Sequence, residues 1–321
     1  MRMNGIGGFF ELELPHGGTL PHERALGLST GRGCLTLMLQ ELEPKIVYVP
    51  FYTCDATLEP FRTLGIQTRY YGLDEYLFPI DLPEPAAGEY FLWTDYFGIC
   101  RRHTNTLKAH FGRSLLIDDT HNFFTYGHQG YWSFTSARKY FGVPDGAFLY
   151  SPRPLSVDLE RFRGVSLTHG VLRRLGRGVE AFAASQSYEH TLDCRVAKIS
   201  EISEGLLRGV DFPAVAALRR ENFRFYHSRL GSSNQLEIDM GEQVPFSYPY
   251  LPTRPITHTS MHRKGFFIPV LWPDVIHRDA AGFEWEKYLA ANTLHLPVDH
   301  RYFPEDLTPI VEYILHAEGR E

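Results

Sequence analysis

Between residues 45 and 151 the chain repeats one pattern: a short run of β-branched and aromatic residues, a break, then a polar or helical stretch. KIVYVP (45–50) ends at Pro50. YTCDATLEPFRTLG follows, with Thr53 as the expected N-cap, Asp55 in the first turn and Gly65 as the stop signal. IQTRYYGLD, YFLWTDYFG (90–98), SLLIDD (114–119), YWSFTS and GAFLYS (146–151) are further strand signals. Several are apolar on both faces, as in a sheet covered by helices on each side. Alternation of this kind predicts an α/β layered domain on a largely parallel sheet.

The rest of the chain reads differently. Residues 155–230 carry few strand signals, and EISEGLLRGVD and VAALRRENFRFYHSRL have the spacing of amphipathic helices. VPFSYPYLP and GFFIPVLWP read as strands, and PEDLTPIVEYILHAEG as a helix with Pro304 near its start and Gly319 after it. A length of 321 residues exceeds one ordinary core. The expected organisation is a large domain over 1–214 and a smaller α+β domain over 215–321.

Hydrophobic residues at 43% and charged residues at 22% give the balance of a soluble globular protein. The net charge of −6 gives no reason to expect nucleic acid or an anionic membrane as partner. No stretch approaches the roughly 18 apolar residues of a membrane span. The apolar run in MRMNGIGGFFELELP is too short for a secretory leader. Cys34, Cys54, Cys100 and Cys194 are far apart and fit reduced thiols in a cytoplasmic protein. The 15 histidines show no HExxH spacing, so no metal site is expected.

Two polar clusters end consecutive expected strands: LLIDDTHNFF (115–124) and SFTSARK. Ligands of open parallel sheets bind beyond the carboxyl ends of the strands. Asp118 directly follows the apolar run, His121 comes three residues later, and Lys139 three residues after Ser136. Each residue alone has an ordinary reading as a solvated charge, a turn residue or a packed ring. Together, an acid at one strand end and a lysine at the next meet the needs of pyridoxal phosphate (PLP). The lysine amine forms a Schiff base, the acid keeps the pyridine nitrogen protonated, and His121 can reach the ring hydroxyl. In LSTGRGCLTLML (28–39) small residues precede a helix, whose N-terminus suits a phosphate. Ser136 can add a second hydroxyl. Gly142, Pro144 and Gly146 predict a fixed, irregular loop beyond the lysine.

On these stretches the chain resembles the fold type I PLP enzymes, and among them the DegT/StrS sugar aminotransferases. STGRGCLTLML resembles the family's phosphate loop and first helix, and VYVPFYTCDATLEPFRTLGIQTRYYGLD its strand–helix–strand run. TDYFG, LIDDTHNFF, SARKYFGVPDGAFLY and LHLPVDHRYFPEDLTPIVEYI resemble later family segments. The resemblance implies a seven-stranded-type, mostly parallel sheet and a C-terminal α+β domain. It implies Lys139 as the Schiff-base lysine and Asp118 as the pyridine-nitrogen acid, with Asp119 as the competing assignment. His121 takes a position where the family usually has Gln. Thr30, Gly31, Arg32 and Ser136 fall on the phosphate site. Where the family stacks an aromatic ring, this chain has Cys54, and Tyr52 is the expected contact. The implied function is PLP-dependent amino transfer from an amino acid to a keto group, by a homodimer acting on small molecules. A lyase or isomerase on the same scaffold, a non-catalytic protein retaining it, and an α/β protein binding another phosphorylated ligand are the alternatives.

Overall fold

The computed structural model describes residues 11–15 and 17–320. Most of the segment weighed above as a secretory leader, residues 1–10, lies outside the described residues. A main sheet of seven strands contains β1 (Leu26–Leu28), β2 (Ile46–Pro50), β3 (Gln67–Tyr71), β4 (Glu89–Thr94), β5 (Leu115–Asp118), β6 (Trp132–Ser136) and β7 (Ala147–Tyr150). Their order across the sheet is β1-β7-β6-β5-β4-β2-β3. Pairing is parallel from β6 through to β3, and β7 is antiparallel to both β6 and β1. The mostly parallel sheet read from the sequence is therefore present, with one reversed strand.

Helices α1 (Gly31–Leu42), α2 (Asp55–Leu64) and α3 (Arg101–Phe111) lie between the early strands. α1 buries Cys34, Leu35, Leu37, Met38 and Leu39 against a core that includes Val47, Leu92, Leu116 and Phe134. Each such leucine contributes about 1.5–3 kcal/mol by leaving water. After β7 come α4 (Thr168–Arg174), α5 (Gly178–Glu189), α6 (Glu201–Arg208) and α7 (Phe212–Leu230). The C-terminal part adds β8 (Ser247–Tyr250), α8 (His258–Arg263), α9 (Asp274–His277), α10 (Glu284–Asn292), β9 (Leu294–Pro297) and α11 (Pro304–Glu318).

Residues 214 and 215 lie in the first turn of α7. One apolar cluster joins Phe51, Tyr96 and Phe97 of the sheet side to Tyr248, Leu294, Leu296 and Ile310 of the C-terminal part. Polar contacts follow the same route: Glu286 accepts from Leu73 N at 2.5 Å, and Arg278 donates to Thr53 O at 2.9 Å.

Three local expectations need correction. GFFIPVLWP forms no strand: Pro269 and Pro273 lack the N–H a ladder needs, and β8 instead pairs antiparallel with β9. The N-cap of α2 is Cys54, not Thr53, and no side chain caps that helix. In the loop after Lys139, Gly142 is exposed, with open space where a Cβ would stand. The glycine that the loop requires is Gly146, at φ +119°, where a Cβ would meet Ile199 Cδ1 at 2.9 Å.

Candidate active site

Strands β2, β4, β5 and β6 are parallel, so their carboxyl ends share one edge. β1 runs the same way as β6, since both are antiparallel to β7, and it delivers Thr30 and the N-terminus of α1 to that edge. A cavity of about 350 Å³ opens there. Its wall brings together Thr30, Gly31, Arg32, Asp118, His121, Ser136 and Lys139, from three separate stretches of the chain.

Asp118 ends β5 in full burial, and its Oδ1 accepts from Thr120 N at 2.8 Å. Burial pushes its pKa up from 3.8 to about 6, while the bonds from Thr120 and the charge of Lys139 pull the other way. Asp119 does not line the cavity. Successive residues of a strand face opposite ways, and its Oδ2 lies 2.9 Å from His128 Nε2. Lys108 Nζ sits 2.6 Å from His128 Nδ1 and has only protons to offer. His128 therefore donates from Nε2 to Asp119.

His121 stacks between Phe246 (centroids 4.3 Å apart) and Trp272 (5.3 Å apart, 6° between planes). Phe97 N donates to its Nδ1 at 3.3 Å. Burial first, then the charge of Lys139, holds its pKa well below 6.5. His121 is thus neutral, with its proton on Nε2.

Lys139 closes a short 3-10 turn, Ala137–Lys139, after β6. Ala137 N donates to Gly146 O at 3.0 Å, and Gly146 N donates to Ser29 O at 2.7 Å. The turn is thereby fastened to the loop that opens α1. Nζ of Lys139 lies 5.8 Å from the Phe246 ring centroid. Tyr140 OH donates to His121 O at 2.6 Å, and Arg219 lies 4.3 Å over the Tyr140 ring while donating to Pro245 O at 3.1 Å. The C-terminal part so fixes both the lysine turn and Phe246.

Tyr52 does not reach the cavity. Its ring packs into the core against Tyr96 and edge-on to Trp272 at 4.5 Å, leaving Cys54 and Thr57 to line the wall. Trp272, at φ +54°, presents the aromatic surface instead. Sequence reading missed it because its segment was taken for a strand; a tryptophan directly before proline in a segment holding two prolines was the available signal. Arg138 and Glu189 also line the cavity. Arg138 could have been found as the second cation of SARK, whereas nothing in the sequence pointed to Glu189.

No family model matches this sequence, and no curated protein matches it. Solved structures do share the fold. The sugar aminotransferase CalS13 from Micromonospora echinospora superposes with a TM-score of 0.64 at 16% identity, over 92% of this chain and 88% of that one. DesV from S. venezuelae, in complex with a ketimine intermediate, gives 0.64 at 17% identity, over 92% and 85%. The E. coli GDP-4-keto-6-deoxy-D-mannose-3-dehydratase with bound hydrated PLP gives 0.60 at 13% identity, over 91% and 87%. The molecule therefore has the fold of the fold type I PLP-dependent transferases.

Proposed function

We propose that this chain is a PLP-dependent aminotransferase that moves an amino group from an amino acid to a keto group, with this cavity as its active site. The observation that carries the reading is a buried carboxylate, Asp118, sharing one cavity wall with Lys139. A buried carboxylate needs a cation or donors. Among the described residues Asp118 has the donors of Thr120 but no ion-pair partner. That fits a site prepared for a protonated ring nitrogen.

Asp118 would hold that nitrogen, and His121 would offer its Nε2 proton to the ring hydroxyl. The N–H groups of Gly31 and Arg32, with the Ser136 hydroxyl, would receive the phosphate. Thr30 already spends its hydroxyl on the α1 cap, accepting from Gly33 N at 2.9 Å, so its contribution would be to hold that N-terminus open. When bound, PLP supplies an aldehyde for an amine and a ring that withdraws electrons. Lys139 Nζ would bind the cofactor, and once freed would move a proton at the substrate carbon as general base and acid. Trp272 and Phe246 would limit water there.

The finer parts of the proposal rest on the neighbours. A sugar is the suggested keto acceptor, because CalS13 is a sugar aminotransferase; glutamate as donor and a nucleotide-linked sugar follow from the family resemblance alone. The two-domain division near residue 214 and a cytoplasmic homodimer belong to the same reading. In support of the dimer, α4, α5 and the turn between them expose Val171, Leu175, Val179 and Phe182, apolar surface suited to a second copy. The dehydratase neighbour favours a lyase as the second reading.

The test is to add PLP, follow visible absorbance, reduce with borohydride and map the label. Lys139 should carry it, and Lys139→Ala should lose both the absorbance and turnover while staying folded. Label on another lysine would overturn the assignment. Following the donor's nitrogen with a 15N label separates amino transfer, which places it on the acceptor, from elimination, which frees it as ammonia or leaves it on the donor.

A further inference from the structure

Glu189, at the end of α5, reaches the cavity mouth from 51 residues along the chain and meets two guanidiniums there. Arg138 Nη2 donates to its Oε2 at 2.6 Å, and Arg32 Nη2 lies 3.5 Å from its Oε1. Two arginines on the two oxygens of one carboxylate is the arrangement by which proteins hold an external carboxylate or phosphate. Arg32 has a second anion, Glu59, at 2.7 Å, whereas among the described residues Glu189 is the sole ion-pair partner of Arg138. Two further buried polar atoms lack a partner among the described residues: Arg138 Nε and, on α4, Nδ1 of His169, whose ring is close enough to feel the charges of Arg138 and Glu189. A guanidinium offers five donors, and buried ones are seldom left unused. Glu189 is itself about half exposed, and α4 and α5 pack chiefly on each other. The carboxylate can therefore leave without breaking the core.

We propose that Arg138 and Arg32 form an oxyanion subsite at the mouth of the cavity, which Glu189 occupies until an anionic group of the substrate displaces it. This rests on the aminotransferase reading, and it narrows the substrate to one carrying a carboxylate or a phosphate some distance from the reacting carbon. If Glu189 were only a staple for α5, removing its charge would loosen the helix and leave anion binding unchanged. As a plug, its removal opens the subsite.

Calorimetric titration with glutarate and with pyrophosphate, at low salt on PLP-saturated protein, tests this. Glu189→Gln should bind one or both probes about tenfold more tightly than the wild type. Arg138→Met should lose binding by about tenfold or more, in the presence or absence of the Gln substitution. Should Arg138→Met fail to fold, Arg138→Lys serves, with a smaller loss expected because a lysine cannot grip two oxygens at once. Tightening for glutarate alone assigns the subsite to a carboxylate, and for pyrophosphate alone to a diphosphate. No tightening in Glu189→Gln would overturn the proposal, and so would release of PLP by either probe, since the site would then be the cofactor's own. Visible absorbance in each variant reports separately on whether the cofactor reading holds.

Discussion

Replacing Asp118 by asparagine separates what the carboxylate costs the fold from what it gives the site. In the ligand-free protein burial lifts its pKa from 3.8 to about 6. A folded value above the unfolded one means that the stability belongs to the neutral acid. It is fully present below about pH 4 and is lost as the pH rises through about 6. A gap of about two pH units, at roughly 1.4 kcal/mol each, is on the order of 3 kcal/mol by pH 8. Asparagine keeps an oxygen to accept from Thr120 N and carries no charge to bury. The ligand-free Asp118→Asn protein should therefore have the higher denaturation midpoint in urea at pH 8, and the advantage should vanish at pH 4. Saturating PLP should reverse the order at pH 8, because the carboxylate then gains its cation and the cofactor stabilises the wild type more. A midpoint gap that does not change between pH 4 and pH 8 would refute the reasoning, whatever its size.

Asp119→Asn should behave in the opposite way, losing about 1 kcal/mol as the bond from His128 Nε2 passes from a charged to a neutral acceptor, while retaining the PLP absorbance; urea melts and spectra of the two variants side by side decide. Gly146→Ala should cost about 2–5 kcal/mol, from backbone strain at φ +119° plus the 2.9 Å approach to Ile199 Cδ1. Gly142→Ala should stay within about 0.5 kcal/mol of the wild type, and thermal melts of the pair test the contrast. Trp272→Phe should keep the fold and bind PLP more weakly, because a smaller ring still packs on His121; unchanged affinity would remove Trp272 from the site.

The sheet was legible because its strands are short apolar runs with clear punctuation, and Asp118 was separable from Asp119 because it ends such a run. Lys139 stood out for a similar reason, as a cation where a buried strand stops. What escaped depends on approach through space. Gly142 and Gly146 look alike in the sequence, and only the passage of Ile199 makes one of them necessary. Tyr52 is adjacent to the cavity in sequence yet turns into the core, while Trp272 arrives from an irregular segment far along the chain. Glu189 reaches Arg138 only because the end of α5 arrives at the cavity wall.

The unbroken apolar cluster from Phe51 to Ile310 limits how modular this molecule can be. A chimera joined near residue 214 would bring together two half-cores whose side chains were never fitted to each other. A chain truncated there would leave Phe51, Tyr96 and Phe97 facing water and should be recovered mainly as aggregate. The C-terminal part also supplies Trp272, Phe246 and Arg219 around His121 and Lys139. Recombination would thus have to transplant the supports of the cavity and the structural interior as one piece, and single-residue changes at the cavity mouth are the less disruptive way to alter the site.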